Sequence, residues 1–209
     1  MIELNVVRKM NKLLYLDIET TGIHPLFNGI VELAVMIEID GKIVESHHWK
    51  VKPFENDRIN ASALEIIGVT VDEINTYEDP NKVYWKLIKI LEKYVNKFDK
   101  DKANKFYPIG YNVQFDLDFL KEFFVKNGDK YIGSWFNWKK LDVLQLLYWM
   151  HYKNEIVLDS YKLDVVCKHF GIELTAHNAM NDITATRELF KKFEDSIMFI
   201  SQENNVNSE

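Results

Sequence analysis

A sandwich built on one mixed sheet, α/β or α+β, is the fold class this sequence predicts. Apolar and β-branched runs crowd into the first fifty residues, a hairpin signal joins two of them, and beyond residue 80 helical spacing takes over around one further strand.

The strands come first. Residues 13–16 (LLYL) form a short apolar run that ends in Asp17-Ile18-Glu19, and residues 30–39 (IVELAVMIEI) are apolar and β-branched enough for a second strand. Asp40-Gly41 follows at once, and Asp-Gly favours a two-residue hairpin turn, so residues 43–51 are expected to return antiparallel. Asp79-Pro80 then reads as an N-cap followed by proline at the first helical position. It leads into Val83, Leu87, Ile88, Leu91 and Val95 at helical spacing. Residues 106–111 (FYPIGY) are a short strand, with Pro108 suited to an edge or a strand start. Helical patterns cover residues 115–126, 141–152, 161–170 and 180–193, the third stopped by Gly171. The polar residues 201–209 (SQENNVNSE) are expected to be a disordered tail, and no repeat or linker divides residues 1–200, which read as one domain.

Composition narrows the function. At 47% hydrophobic residues the chain can cover both faces of a sheet, and no stretch reaches the roughly 18 consecutive apolar residues of a membrane span. The N-terminus lacks the apolar core of a signal peptide, so a cytoplasmic protein with no membrane partner is expected. The single cysteine, Cys167, has no partner for a disulfide or a zinc cluster and reads as core, which favours a reducing compartment and oxygen ligands. A net charge of −6 sits badly with a polyanionic partner. Two divalent cations held by four acidic side chains would bring that −6 to −2 and turn the most acidic spot into one that attracts phosphate.

Three segments carry the chemistry. Side chains two apart on a strand share a face, so Asp17 and Glu19 present paired carboxylates suited to a hard cation. Asp-x-Glu alone is common. Here Thr20-Thr21-Gly22 follows, a polar turn whose glycine lets a ligand approach the backbone. In Tyr111-Asn112-Val113-Gln114-Phe115-Asp116 a strand passes into a helix, which puts Asp116 near a helix N-terminus, where a carboxylate is favoured or serves as a plain cap. Asp118 turns to a different face. In the third segment, residues 177–182 (HNAMND), His177 lies on the loop entering the last helix and Asp182 lies within that helix.

The segments LDIETTG (16–22), YNVQFD (111–116) and HNAMND (177–182), in this order and at these separations, resemble the three motifs of the DEDDh exonucleases. That family includes the epsilon proofreading subunit of bacterial replicative polymerase, oligoribonuclease and RNase T. INASALEIIGVT (59–70) and KLDVVCKHFGI (162–172) agree with the epsilon-like branch, and the resemblance covers roughly residues 13–193. It implies a ribonuclease H-like fold with a mixed five-stranded sheet flanked by helices. It implies Asp17, Glu19, Asp116 and Asp182 as the metal-binding carboxylates and His177 as general base. Thr20, Thr21 and Gly22 would border the terminal nucleotide by backbone or hydroxyl contacts, Ile23 would pack against a base, and Asn112 would lie beside the site. The sequence departs from the family at Tyr111 and Ile67, where histidine is common in relatives.

On this reading two Mg²⁺ or Mn²⁺ ions, which prefer carboxylate and water ligands, serve a phosphodiester hydrolysis that releases 5′-mononucleotides. Neutral His177 would take the proton of the attacking water, a role typically worth roughly 10² to 10⁴ in rate. The expected partners are single-stranded or frayed 3′ ends of DNA and a separately encoded DNA polymerase. The rivals are an RNA-directed exonuclease of the oligoribonuclease or RNase T kind and a non-catalytic polymerase adaptor. Residues 131–140 (YIGSWFNWKK) interleave aromatics with lysines, which fits either a platform for single-stranded bases or a loop packed on the domain. Asp142 and Asp164 read as capping or supporting residues.

Overall fold

The structure, a computed structural model, describes residues 11–175 and 178–206, with the helical backbone alone for 195–206. The hairpin forms as its turn chemistry requires. Strand β1 (Lys12–Thr20) pairs antiparallel with β2 (Ile30–Ile39), and β2 pairs antiparallel with β3 (Lys42–Lys50). Asp40 and Gly41, at φ 48° and 81°, make the two-residue turn with both residues left-handed, a conformation that glycine and aspartate tolerate best.

Two short helices follow, α1 (Ala61–Ile67) and α2 (Val71–Asn75). Neither was expected, because seven and five residues are too few to show a helical period. Helix α3 (Pro80–Tyr94) starts where Asp79-Pro80 predicts: the Asp79 carboxylate accepts the amides of Asn81 and Lys82 at 3.0 and 3.1 Å.

Strand β4 (Tyr107–Gly110) lies parallel to β1, and helix α4 (Val113–Lys126) leaves its end. The next segment departs from expectation. Leu141 and Asp142 form a two-residue strand, β5 (Leu141–Asp142), parallel to β4, and only then does helix α5 (Val143–Tyr152) begin. Asp142 explains the break, since its carboxylate caps α5 by accepting the amide of Leu144 at 3.1 Å. Helices α6 (Leu163–His169) and α7 (Ala179–Val206) complete the fold. Helix α7 runs past Ser201 into the stretch expected to be a disordered tail, because no proline or glycine stops it; residues 207–209 lie outside the described residues.

The sheet order β3-β2-β1-β4-β5 makes the five-stranded mixed sheet that the motifs imply. Leu14, Leu16 and Ile18 of β1 and Leu33, Val35 and Ile37 of β2 face α3 and α4, where Leu87, Phe119 and Phe123 meet them. On the other face Tyr15, Ala34 and Met36 pack with Val143, Cys167, Ile183 and Leu189 from α5, α6 and α7. Both faces of β1 and β2 are therefore covered, which is why their sequence is apolar without clean alternation. Cys167 is core. No helix among the described residues is long and apolar enough to cross a membrane.

Candidate active site and metal centre

The parallel run of β1, β4 and β5 brings three strand C-termini to one edge of the sheet. Period-two alternation puts Asp17 and Glu19 on the same face as Tyr15, the face that α7 covers. The Asn178 side chain accepts the amide of Asn181 at 3.2 Å and so caps α7, which fixes Asp182 one turn into the helix. Asp17, Glu19 and Asp182 consequently offer carboxylate oxygens that all lie within 4.8 Å of one another.

Asp116 arrives from the other side of β1. It is buried, and its Oδ1 accepts the Ile18 amide at 3.2 Å, beyond the point where β4 has ended and can no longer pair with β1. It stands outside the group of three yet is near enough to repel Asp17. Burial, followed by the charges of Asp116, Asp182, Glu19 and Glu32, holds the Asp17 carboxyl well above the usual carboxylate range. Burial and then Asp182 and Glu32 push Glu19 up to about 7. Burial likewise raises Asp116, against the backbone amides that favour its charged form. A cluster of oxygen donors this negative fits a divalent cation; three of the four carboxylates that the motifs single out converge, and Asp116 lies against the same strand.

The neighbouring residues divide. Asn112 sits at φ 60°, ψ 39°, a left-handed conformation that asparagine tolerates, and its amide donates to the Asp142 carboxylate at 3.0 Å. Asp142 thereby ties the start of α4 to the cap of α5, the supporting role expected of it. Asp118 faces outward and accepts from Gln114 at 2.8 Å, away from the cluster. Ile23 is 69% exposed and open to a ligand. The Thr20 hydroxyl donates to the Gly22 carbonyl at 2.7 Å.

Thr21 uses its hydroxyl within the turn itself. Its side chain is fully buried, and its hydroxyl donates to the Arg58 carbonyl at 2.7 Å while accepting the Gly29 amide at 2.9 Å, so that hydroxyl is not offered to a nucleotide. It staples the turn. Gly22 is required there for space: a Cβ would lie 2.6 Å from the side chains of Asn28 and Asn60. Asn28, which the motifs do not include, is buried and donates to the Arg58 carbonyl at 2.7 Å while accepting the His24 amide at 3.0 Å.

Glu32 is a further acidic neighbour that the motifs do not include. It lies opposite Glu19 in the β1–β2 register and pairs with His48 at 2.9 Å. A glutamate inside the apolar run 30–39 was the available signal. His177, the expected general base, lies outside the described residues.

Comparison with known proteins agrees with this geometry. The RNase_T exonuclease family matches residues 14–190. The chain is 27% identical over 181 residues to the PolC-type DNA polymerase III of Thermotoga petrophila, covering 85% of this chain and 11% of that one. It is 28% identical over 174 residues to the enzyme of the same name from Halalkalibacterium halodurans, covering 83% and 11%. It thus spans about a tenth of the length of these relatives. Among solved structures, E. coli exonuclease I in complex with a dT13 oligonucleotide superposes with a TM-score of 0.73 at 23% identity, covering 91% of this chain and 43% of that one. A second exonuclease I structure gives 0.69 at 25% identity, covering 84% and 39%. The fold is ribonuclease H-like, and the chain belongs to the exonuclease family.

Proposed function

We propose that the protein is a metal-dependent 3′→5′ exonuclease that removes nucleotides from DNA 3′ ends as 5′-mononucleotides, of the proofreading type. The observation that carries this reading is the convergence of Asp17, Glu19 and Asp182 within 4.8 Å, with Asp116 against the same strand. Two divalent cations, Mg²⁺ or Mn²⁺, would be held by these four carboxylates and would supply an activated nucleophile and charge stabilisation at the leaving oxygen.

The chain's own residues do the rest. Asp116 and Asp182 enter from opposite faces of β1, so the carboxylates surround the strand end from both sides. Thr21, Asn28 and Gly22 hold the turn after β1 rigid, with the exposed Ile23 available to pack against a terminal base. His177 accepts the proton of the attacking water. The polymerase identity of the matching relatives supports DNA over RNA as substrate and a DNA polymerase as partner. Four retained carboxylates weigh against a non-catalytic adaptor.

The test is direct. Single-stranded DNA and RNA oligomers labelled at the 5′ end are incubated with the protein and Mg²⁺, Mn²⁺ or Zn²⁺, beside Asp17→Ala and His177→Ala variants. A ladder shortening from the 3′ end with wild-type protein, lost with Asp17→Ala and slowed at least about 100-fold with His177→Ala, is expected. No ladder with any of the metals overturns the reading and leaves the adaptor in its place. Faster shortening of RNA overturns the choice of sugar alone.

A further inference from the structure

The aromatic and basic segment 131–140 divides in two in the structure. Trp135 and Phe136 are buried against the core, while Tyr131 is 75% and Trp138 is 78% exposed. The segment is firmly anchored: the Phe106 amide donates to the Trp135 carbonyl at 3.1 Å, and the Asn137 amide donates to the Phe106 carbonyl at 2.7 Å. The buried Asn137 side chain also donates to the Lys102 carbonyl at 2.8 Å. Trp138 therefore projects from a fixed base, with the Lys139 ammonium 5.8 Å from its ring.

Between this segment and α4 runs a cleft of about 300 Å³. Its α4 wall is made by Gln114, Leu117, Asp118 and Lys121, which share one helix face over about 10 Å of rise. Its other wall includes Phe136, Trp138 and Lys140, and Lys102, whose ammonium donates to the Gly133 carbonyl at 3.1 Å, also lines it. Three lysines against one aspartate line this cleft on a protein of net charge −6. One end reaches the start of α4, two residues before Asp116: Lys140 bonds to Gln114 there, and the next residues form β5, whose Asp142 holds the Asn112 amide.

We propose that this cleft is a second contact for the substrate, taking a single-stranded stretch of nucleic acid away from the reacting end. Trp138 stacks on a base, and Lys102, Lys121 and Lys140 take phosphates. The pairing of an exposed ring with neighbouring ammonium groups is what single-strand binding requires, since every base has a stacking face and every nucleotide a charge. The inference rests on the exonuclease reading above for the identity of the strand.

The experiment measures binding and cleavage separately. Anisotropy of a labelled DNA single strand of about 16 nucleotides and of a trinucleotide is read in the non-cleaving Asp17→Ala protein. It is then read after adding Trp138→Ala or the pair Lys121→Gln and Lys140→Gln. Trp138→Ala is expected to weaken the long strand about tenfold relative to the trinucleotide, and the lysine pair to flatten the salt dependence by about 0.7 per lysine. The exposure of Trp138 makes its replacement compatible with folding, which thermal melting verifies. Unaltered affinity and salt slope in both variants overturn the cleft and leave the exonuclease reading standing if wild-type protein still shortens the strand. Trp138-dependent binding without any cleavage by wild-type protein overturns the exonuclease reading and leaves the cleft standing.

Discussion

The Asp116 carboxylate accepts the amide of Ile18 at 3.2 Å, so a residue of the second motif completes the hydrogen bonding of the strand that carries the first. One side chain thus serves the fold and the site together. The two duties separate by substitution. Asp116→Asn keeps an acceptor for Ile18 and removes a buried charge that repels Asp17, so in chelator it should be at least as stable as wild type while exonuclease activity falls about 100-fold. Asp116→Ala leaves the Ile18 amide unpaired and should lose about 1 to 3 kcal/mol as well. Urea unfolding beside initial rates checks both.

Removing or adding the metal should be visible in stability alone. Asp17, Glu19 and Asp182 crowd together without a cation, and burial followed by the charges of Asp182 and Glu32 raises Glu19 to about 7. Mg²⁺ or Mn²⁺ should stabilise wild-type protein and raise its melting temperature, the gain growing with the logarithm of metal concentration and reaching about 2.7 kcal/mol at a hundredfold excess over Kd. Asp17→Asn relieves part of the repulsion and should melt higher than wild type in chelator, yet gain little from the metal. An equal metal-induced rise in both proteins would remove these carboxylates from the metal site.

Helix α7 is tied to the sheet by a buried ion pair. Glu38 of β2 lies 2.7 Å from Arg187 and 2.9 Å from Lys191, with its carboxylate almost wholly covered. Glu38→Ala takes this partner from Arg187 and leaves Lys191 with Glu194 alone; with both cations partly exposed it should lose about 1 to 3 kcal/mol in chemical denaturation, with Glu38→Gln between it and wild type. Equal stability of all three proteins would show that the pair contributes nothing.

The acid side of the stability profile should carry the mark of Glu45. Burial alone would raise this carboxylate, but hydrogen bonds from Lys93, His47 and Tyr94 outweigh it and draw it down to about 2. A depressed carboxylate stabilises the fold above its unfolded value of 4.5 and loses that contribution as the pH falls toward about 2. Glu45→Gln should therefore be weaker than wild type by about 1 kcal/mol near neutrality, since Lys93 is half exposed, and indistinguishable near pH 2. Parallel stability curves through that window would contradict this.

What the residues foretold follows the range of the interactions involved. Asp17 and Glu19 were legible because strand alternation is local, and Asp79-Pro80 and Asp40-Gly41 because caps and turns are decided within a few residues. Strand β5 was not legible: two residues carry no period, and they become a strand only because β4 is there to pair with. The burial of Thr21 was not legible either. The partners that occupy its hydroxyl, Gly29 and Arg58, come from loops whose approach no periodicity encodes. Glu32 was hidden within an apolar run, and its position opposite Glu19 depends on the hairpin register.

The carboxylates that converge within 4.8 Å are supplied by the first strand and the last helix of the sheet sandwich. Nothing shorter than the assembled sandwich can hold a cation in that place. On the exonuclease reading, a chain in which α7 is not docked on the sheet lacks Asp182 at the site and should not cut the nucleic acids around it.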